Sequence, residues 1–107
     1  MSSGRGIIIF DFDDTWSLDR RTFVSVRNTF TKAGFSCVLC TSRSESDPTN
    51  VQIYQDWAKE DVVFTEGEQK LPYLERVGFP VDEIAFFIDD TPNSIPEISS
   101  IGKVFVD

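Results

Sequence analysis

Asp11, Asp13 and Asp14 crowd into four positions, with Thr15 beside them, directly after the apolar run Ile7-Ile8-Ile9-Phe10. Two like charges about 4 Å apart repel by ~1 kcal/mol in water and ~4 kcal/mol near a protein surface. Carboxylates gathered this closely make sense when a divalent cation, or a proton, sits among them. The run before them is rich in β-branched residues and reads as a strand covered on both faces, most simply a parallel one. Acidic groups at the end of a buried strand point to phosphoryl chemistry.

The rest of the chain supplies the elements that must position such a cluster. Strand signals recur at 7–10, 37–40, 62–65, 85–88 and 104–106. Between them, 21–33 carries Phe23, Val26 and Phe30 at helical spacing and stops at Gly34. Asp47-Pro48 forms a helix start, with Val51, Ile53, Tyr54, Trp57 and Ala58 as its apolar face. A third helix is expected over 68–77, ended by Gly78 and Pro80, and a short fourth near 94–100. Alternating strands and helices imply a parallel sheet with right-handed crossovers and helices on both faces. Polar residues collect at the C-terminal strand ends: Asp11 and Asp13, then Thr41-Ser42-Arg43, then Asp89-Asp90. In open α/β sheets ligands bind along that edge, where strand order reverses. Lys70, opening the third helix, can join them.

Composition narrows the classes. At 107 residues the chain reads as one domain, residues 1–107, with a single core. No run approaches the ~20 apolar residues of a membrane span, and no basic segment followed by a long apolar one opens the chain. The net charge of -8 argues against a nucleic-acid-binding surface, though not against a nucleic-acid end as substrate. Cys37 and Cys40 lie in an apolar strand pattern, where residues three apart face opposite ways. With no second Cys pair and no His to complete a zinc site, they read as reduced core thiols, as expected of a cytoplasmic protein.

Taken together, the chain resembles a haloacid dehalogenase superfamily phosphohydrolase along essentially its whole length. The family's first motif, DxDx[TV] at the end of strand one, is matched by Asp11-Phe12-Asp13-Asp14-Thr15. Its second, a Thr or Ser ending strand two, is matched by Thr41. The third, a Lys at the start of a later helix, is matched by Lys70, and the fourth, an acidic pair after strand four, by Asp89-Asp90. The resemblance implies a Rossmann-like three-layer sandwich with a five-stranded parallel sheet, and a Mg²⁺-dependent phosphomonoester hydrolase working through an aspartyl-phosphate. Asp11 would be the nucleophile and Asp13 the acid, then the base. Mg²⁺ would bind the Asp11 carboxylate, the Asp13 main-chain carbonyl and Asp90, with Asp89 assisting. Thr41 and Lys70 would hold phosphoryl oxygens. Dehalogenases and phosphonatases of the superfamily lack the acid at the place of Asp13, so the resemblance is to the phosphatase type.

The chain departs from the family pattern at two places and is silent at two more. Asp14 stands where Gly is frequent, and Ser94 where many relatives carry a further Asp. Only 16–20 separates the first motif from its helix, and only 66–69 separates strand three from Lys70, so neither gap holds a cap domain. An open site admits bulky substrates such as a phosphoprotein or a nucleic-acid end, unless a second subunit covers it; the oligomeric state is unknown from sequence. The similarity of Ile88-Asp89-Asp90-Thr91-Pro92 to a motif of phosphatases acting on phosphoproteins points the same way. Ser42, Arg43 and Trp16 are candidate substrate contacts, Trp16 by stacking on a ring; the other reading of Trp16 is an anchor of the core or of a flap. Three alternatives compete. A signalling receiver domain needs an Asp ending strand three, where this chain has Val63-Phe64-Thr65-Glu66. An EF-hand starting at Asp11 needs Gly at Trp16 and Glu at Thr22. A non-catalytic binding or regulatory protein of the same fold remains the alternative to an enzyme.

Overall fold

The structure is a computed structural model in which residues 4–90 are described in full and 102–105 by their backbone. The elements are β1 (Ile7–Phe10), α1 (Arg20–Lys32), β2 (Ser36–Thr41), α2 (Val51–Tyr54), β3 (Val62–Phe64), α3 (Lys70–Arg76), β4 (Ile84–Asp89) and β5 (Gly102–Phe105). Every pairing is parallel, and the sheet runs β3-β2-β1-β4-β5. The expected helix near 94–100 lies outside the described residues.

All four residues of β1 are buried, and their alternation explains why the strand is apolar throughout. Ile7 and Ile9 face one layer with Cys40, Leu71, Leu74, Ile84 and Phe87. Ile8 and Phe10 face the other with Phe12, Trp16, Leu39, Ile53 and Trp57. The first layer is roofed by α3. The second is roofed by α1, through Phe23, Val26 and Phe30, and by α2, through Ile53. The result is an α/β domain with helices on both faces of a parallel sheet. Cys37 and Cys40 are both free thiols and pack on opposite sides of the sheet. Burial pushes the Cys40 thiol up to about 12.

Local chemistry sets the helix ends. Asp19 caps α1, accepting from the Thr22 backbone N–H and, at 2.7 Å, from its hydroxyl. Gly34 then turns the chain out at φ +101°, left-handed backbone that favours glycine. The second helix is much shorter than its apolar spacing predicts. Asp47 caps as expected, through Thr49 N–H, but a 3₁₀ turn over Pro48–Asn50 leads into the single helical turn of α2. The N–H groups of Asp56 and Trp57 both donate to the Ile53 carbonyl, which closes the helix. Trp57 then packs 4.9 Å from Trp16, centroid to centroid, as a core residue beyond the helix. Among the described residues no helix is long and apolar enough to cross a membrane.

Candidate active site

Strand order reverses between β1 and β4, with β2 and β3 leading away on one side and β5 on the other. The crevice at the carboxyl ends of such a pair is where open α/β sheets bind ligands. The receiver-domain sheet runs 2-1-3-4-5, so the order found here removes that alternative.

Asp11 enters the crevice because it prolongs the ladder: its N–H donates to the Ile88 carbonyl at 2.9 Å. A tight turn follows. The Phe12 carbonyl accepts from Thr15 and Ser17 N–H, and the Asp11 carbonyl from Trp16 N–H. Asp14 adopts φ +60° in this turn, a conformation that Gly, Asn and Asp tolerate best, and its N–H donates to Ser17 Oγ. That geometry accounts for an aspartate at a place that glycine would also suit. The turn carries the buried Thr15 hydroxyl back toward Asp11, where it lies 3.0 Å from Asp11 Oδ2 and 3.4 Å from Asp90 Oδ1. One hydroxyl proton serves one of these carboxylates at a time.

Lys70 arrives from the other side as the first residue of α3. Its approach loop is tied to the end of β2: Thr65 N–H donates to the Thr41 carbonyl, Gly67 N–H to the Ser42 carbonyl, and Thr65 Oγ1 to the Glu68 carbonyl. The Lys70 ammonium, almost wholly buried, donates to Asp11 Oδ1 and Asp89 Oδ2, both at 2.6 Å.

Oxygens of Asp11, Asp89 and Asp90 lie within 4.8 Å of one another. Among the described residues, these three carboxylates and the Lys70 ammonium sum to two negative charges when all are ionised, which a divalent cation would balance. Burial pushes the Asp11 carboxyl up to about 7, with Asp89 and Asp90 adding to the rise and Lys70 opposing it. Asp11 and Asp89 in turn hold Lys70 above its ordinary value despite its burial, so it stays an ammonium. Hard oxygen donors and a surplus of negative charge suit Mg²⁺.

The cluster floors a cleft of about 310 Å³, which Asp13, Asp14, Ser42 and Glu68 also line. The structure thus brings together Asp11, Lys70, Asp89 and Asp90, with Asp13 and Ser42 at the wall. Other expected site residues are placed differently. Trp16 is wholly buried, its indole N–H donating to Asp56 Oδ2 at 2.9 Å, so it anchors the core and does not stack on a substrate. The buried Thr41 hydroxyl accepts from Arg43 N–H at 3.3 Å and is not part of the cleft wall. The Asp13 carboxylate stands apart from the acidic triad in a two-bond pair with Arg43, at 3.0 and 2.8 Å. Arg43 is therefore engaged with a protein carboxylate. Ser94 lies outside the described residues.

Asp56 is an organising residue that sequence reasoning passed over. It accepts from Trp16 and, through two bonds, from Arg20, while its carbonyl accepts from Arg27. Nothing in the local pattern around residue 56 links it to residues 16 and 20.

No protein-family model matches the chain, and no curated protein or solved structure matches it.

Proposed function

We propose that this chain is a Mg²⁺-dependent phosphomonoester hydrolase of the haloacid dehalogenase type, on a cap-less Rossmann-like core with a five-stranded sheet. The observation that carries the reading is the joint placement of Asp11, Asp89, Asp90 and Lys70 at the strand-order reversal.

In this reading an Asp11 oxygen attacks phosphorus, the ester P–O bond breaks, and the leaving oxygen takes a proton from Asp13. Water then attacks the aspartyl-phosphate, Asp13 accepts its proton, the bond from phosphorus to Asp11 breaks, and phosphate leaves. Lys70 offsets the charge of Asp11 and Asp89 and holds Asp11 in place. Thr15 orients Asp11 and Asp90 by donating to either. Asp11 and Asp90, with Asp89 and the Asp13 main-chain carbonyl, would hold Mg²⁺, which supplies positive charge against the phosphoryl oxygens.

The test is release of phosphate from an aryl phosphate with Mg²⁺, by the native chain and by Asp11→Asn. Turnover that disappears in the variant supports the reading; retained turnover above about one per cent removes Asp11 as nucleophile, since loss of the attacking group costs several orders of magnitude. The Asp13–Arg43 pair favours a second reading, a non-catalytic phosphate-binding protein, because it occupies the proposed acid. Absence of turnover with phosphate binding intact would select that reading.

A further inference from the structure

Arg43 follows the cleft-lining Ser42 on the loop after β2, and its guanidinium is held on several sides. Nε and Nη2 donate to the two Asp13 oxygens, Nη1 donates to Thr49 Oγ1 at 2.9 Å, and the group lies over the Phe12 ring, 5.0 Å from its centroid. Thr49 is itself fixed by Asp47 at 2.6 Å. The two partners of the ion pair differ in freedom: the Arg43 side chain is 14% exposed and that of Asp13 50%. Arg43 is the anchored partner, and Asp13 the one with room to leave.

A guanidinium fork accepts a phosphate as readily as a carboxylate, since both offer two oxygens at the right spacing. Stripping a largely buried guanidinium of its acceptors is costly. Asp13 therefore leaves Arg43 most cheaply when another oxyanion takes its place. Asp13 also lines the cleft while bonded to Arg43, so its departure opens the fork at the cleft's rim.

We propose that Arg43 is an oxyanion-binding residue held in reserve by Asp13: a phosphate group entering the cleft displaces the Asp13 carboxylate from the guanidinium fork and so releases Asp13 toward the reacting centre. The release step rests on the hydrolase reading above; the exchange of oxyanions does not. Binding of substrate and arming of the acid become one event, and a ligand without an oxyanion leaves the pair closed.

The experiment is a double-variant cycle read by calorimetric binding of inorganic phosphate at fixed Mg²⁺, which needs no turnover. Asp13→Asn removes the competing carboxylate and should tighten phosphate binding roughly tenfold, while Arg43→Gln should weaken it by about the same factor, the range of one charge-assisted hydrogen bond. In the Arg43→Gln background, Asp13→Asn should gain less than about twofold, because no fork remains to be freed. Arg43→Lys, which keeps the charge and loses the fork, should behave as Arg43→Gln and guards against a folding defect in either variant. An equal gain from Asp13→Asn with and without Arg43 would reduce the effect to charge repulsion and overturn the proposal. So would phosphate affinity indifferent to Arg43, or no phosphate binding at all. If the cycle holds but no ester is hydrolysed, the exchange stands and the hydrolase reading falls; if esters are hydrolysed and the cycle fails, the reverse.

Discussion

Asp11 is a buried carboxyl with the buried Lys70 ammonium 2.6 Å away. Its carboxyl titrates at about 7 in the folded protein against an ordinary 3.8. The folded state therefore holds a proton that the unfolded chain gives up, and this group's stabilising contribution is full below pH 3.8 and declines as pH rises toward about 7. In chelator, the melting temperature of the native chain should fall between about pH 4 and 7 relative to that of Asp11→Asn, whose amide does not titrate. A difference that stays constant across that range would place the proton elsewhere. For Asp13 the expectation concerns rate. In its proposed role of acid and base it would contribute a factor of roughly 10²–10⁴, and Asp13→Asn should cost alkyl phosphates more than aryl phosphates, which have better leaving groups. Equal losses on both would make Asp13 a structural or metal-supporting residue.

At the scale of elements, the turn from β1 into α1 is fixed from outside by Asp56, which lies just past α2. Its carboxylate is the partner of the Trp16 indole N–H and of the Arg20 guanidinium, and Arg20 holds its carboxyl below the ordinary range, with Trp16 assisting. Asp56→Ala leaves the buried indole N–H without its acceptor, a cost of about 1–3 kcal/mol. Denaturant unfolding should show that loss, and because Trp16 directly follows Thr15, turnover should fall as well. Full stability in the variant would show that the indole finds another partner.

The alternation of apolar runs made the strands legible, because β1 is apolar on both faces for the simple reason that it is covered on both. Asp11, Lys70 and the Asp89-Asp90 pair were legible for a related reason: each stands at a strand end or helix start that the pattern itself marks. The side chains that turned away were not. Trp16 read equally as a substrate contact and as a core or flap anchor, and Trp57 as part of a helix face, because only the packed core tells which way an indole points. Arg43 read as an open phosphate contact because the Asp13 carboxylate that engages it lies 30 residues away in the chain, and nothing near Thr41 told that its buried hydroxyl accepts from the Arg43 N–H. Hydrophobic spacing also overran at α2, where the Ile53 carbonyl closes the helix before Trp57.

For the whole molecule, a metal held by the acidic triad, as proposed, would also stabilise the fold. Mg²⁺ at about 100 times its dissociation constant adds ~2.7 kcal/mol, several degrees of melting temperature in a domain of this size. Asp90→Ala should abolish most of that rise; an undiminished shift would put the ion elsewhere. The cleft's breadth bears on substrate. With five residues between Thr15 and Arg21 and four between Thr65 and Lys70, a monomer has little with which to enclose a small ester, and binding energy from its non-reacting part is hard to collect. Weak, unselective turnover of sugar and nucleotide phosphates is expected, with higher kcat/KM on a larger phosphorylated partner. Basic flanks would favour a phosphopeptide, given the net charge of -8. A monomer in solution that prefers one small ester by more than about a hundredfold would contradict this, since such discrimination takes several enclosing contacts.

The central place of β1 also sets a timetable. During synthesis β1 emerges early and can pair with β2 soon afterwards, but its other neighbour, β4, belongs to the opposite end of the described domain. Thr15 and Asp90, which share one hydroxyl, are 75 residues apart. Until β4 has left the ribosome, β1 has an uncovered edge, and Asp11 and Lys70 have no Asp89 to complete their bonds. A nascent chain stalled at residue 83 should therefore remain protease-sensitive. Protection should arrive in one late step, together with the first capacity to bind Mg²⁺, because the strand that covers the open edge of β1 also brings Asp89 and, directly after it, Asp90.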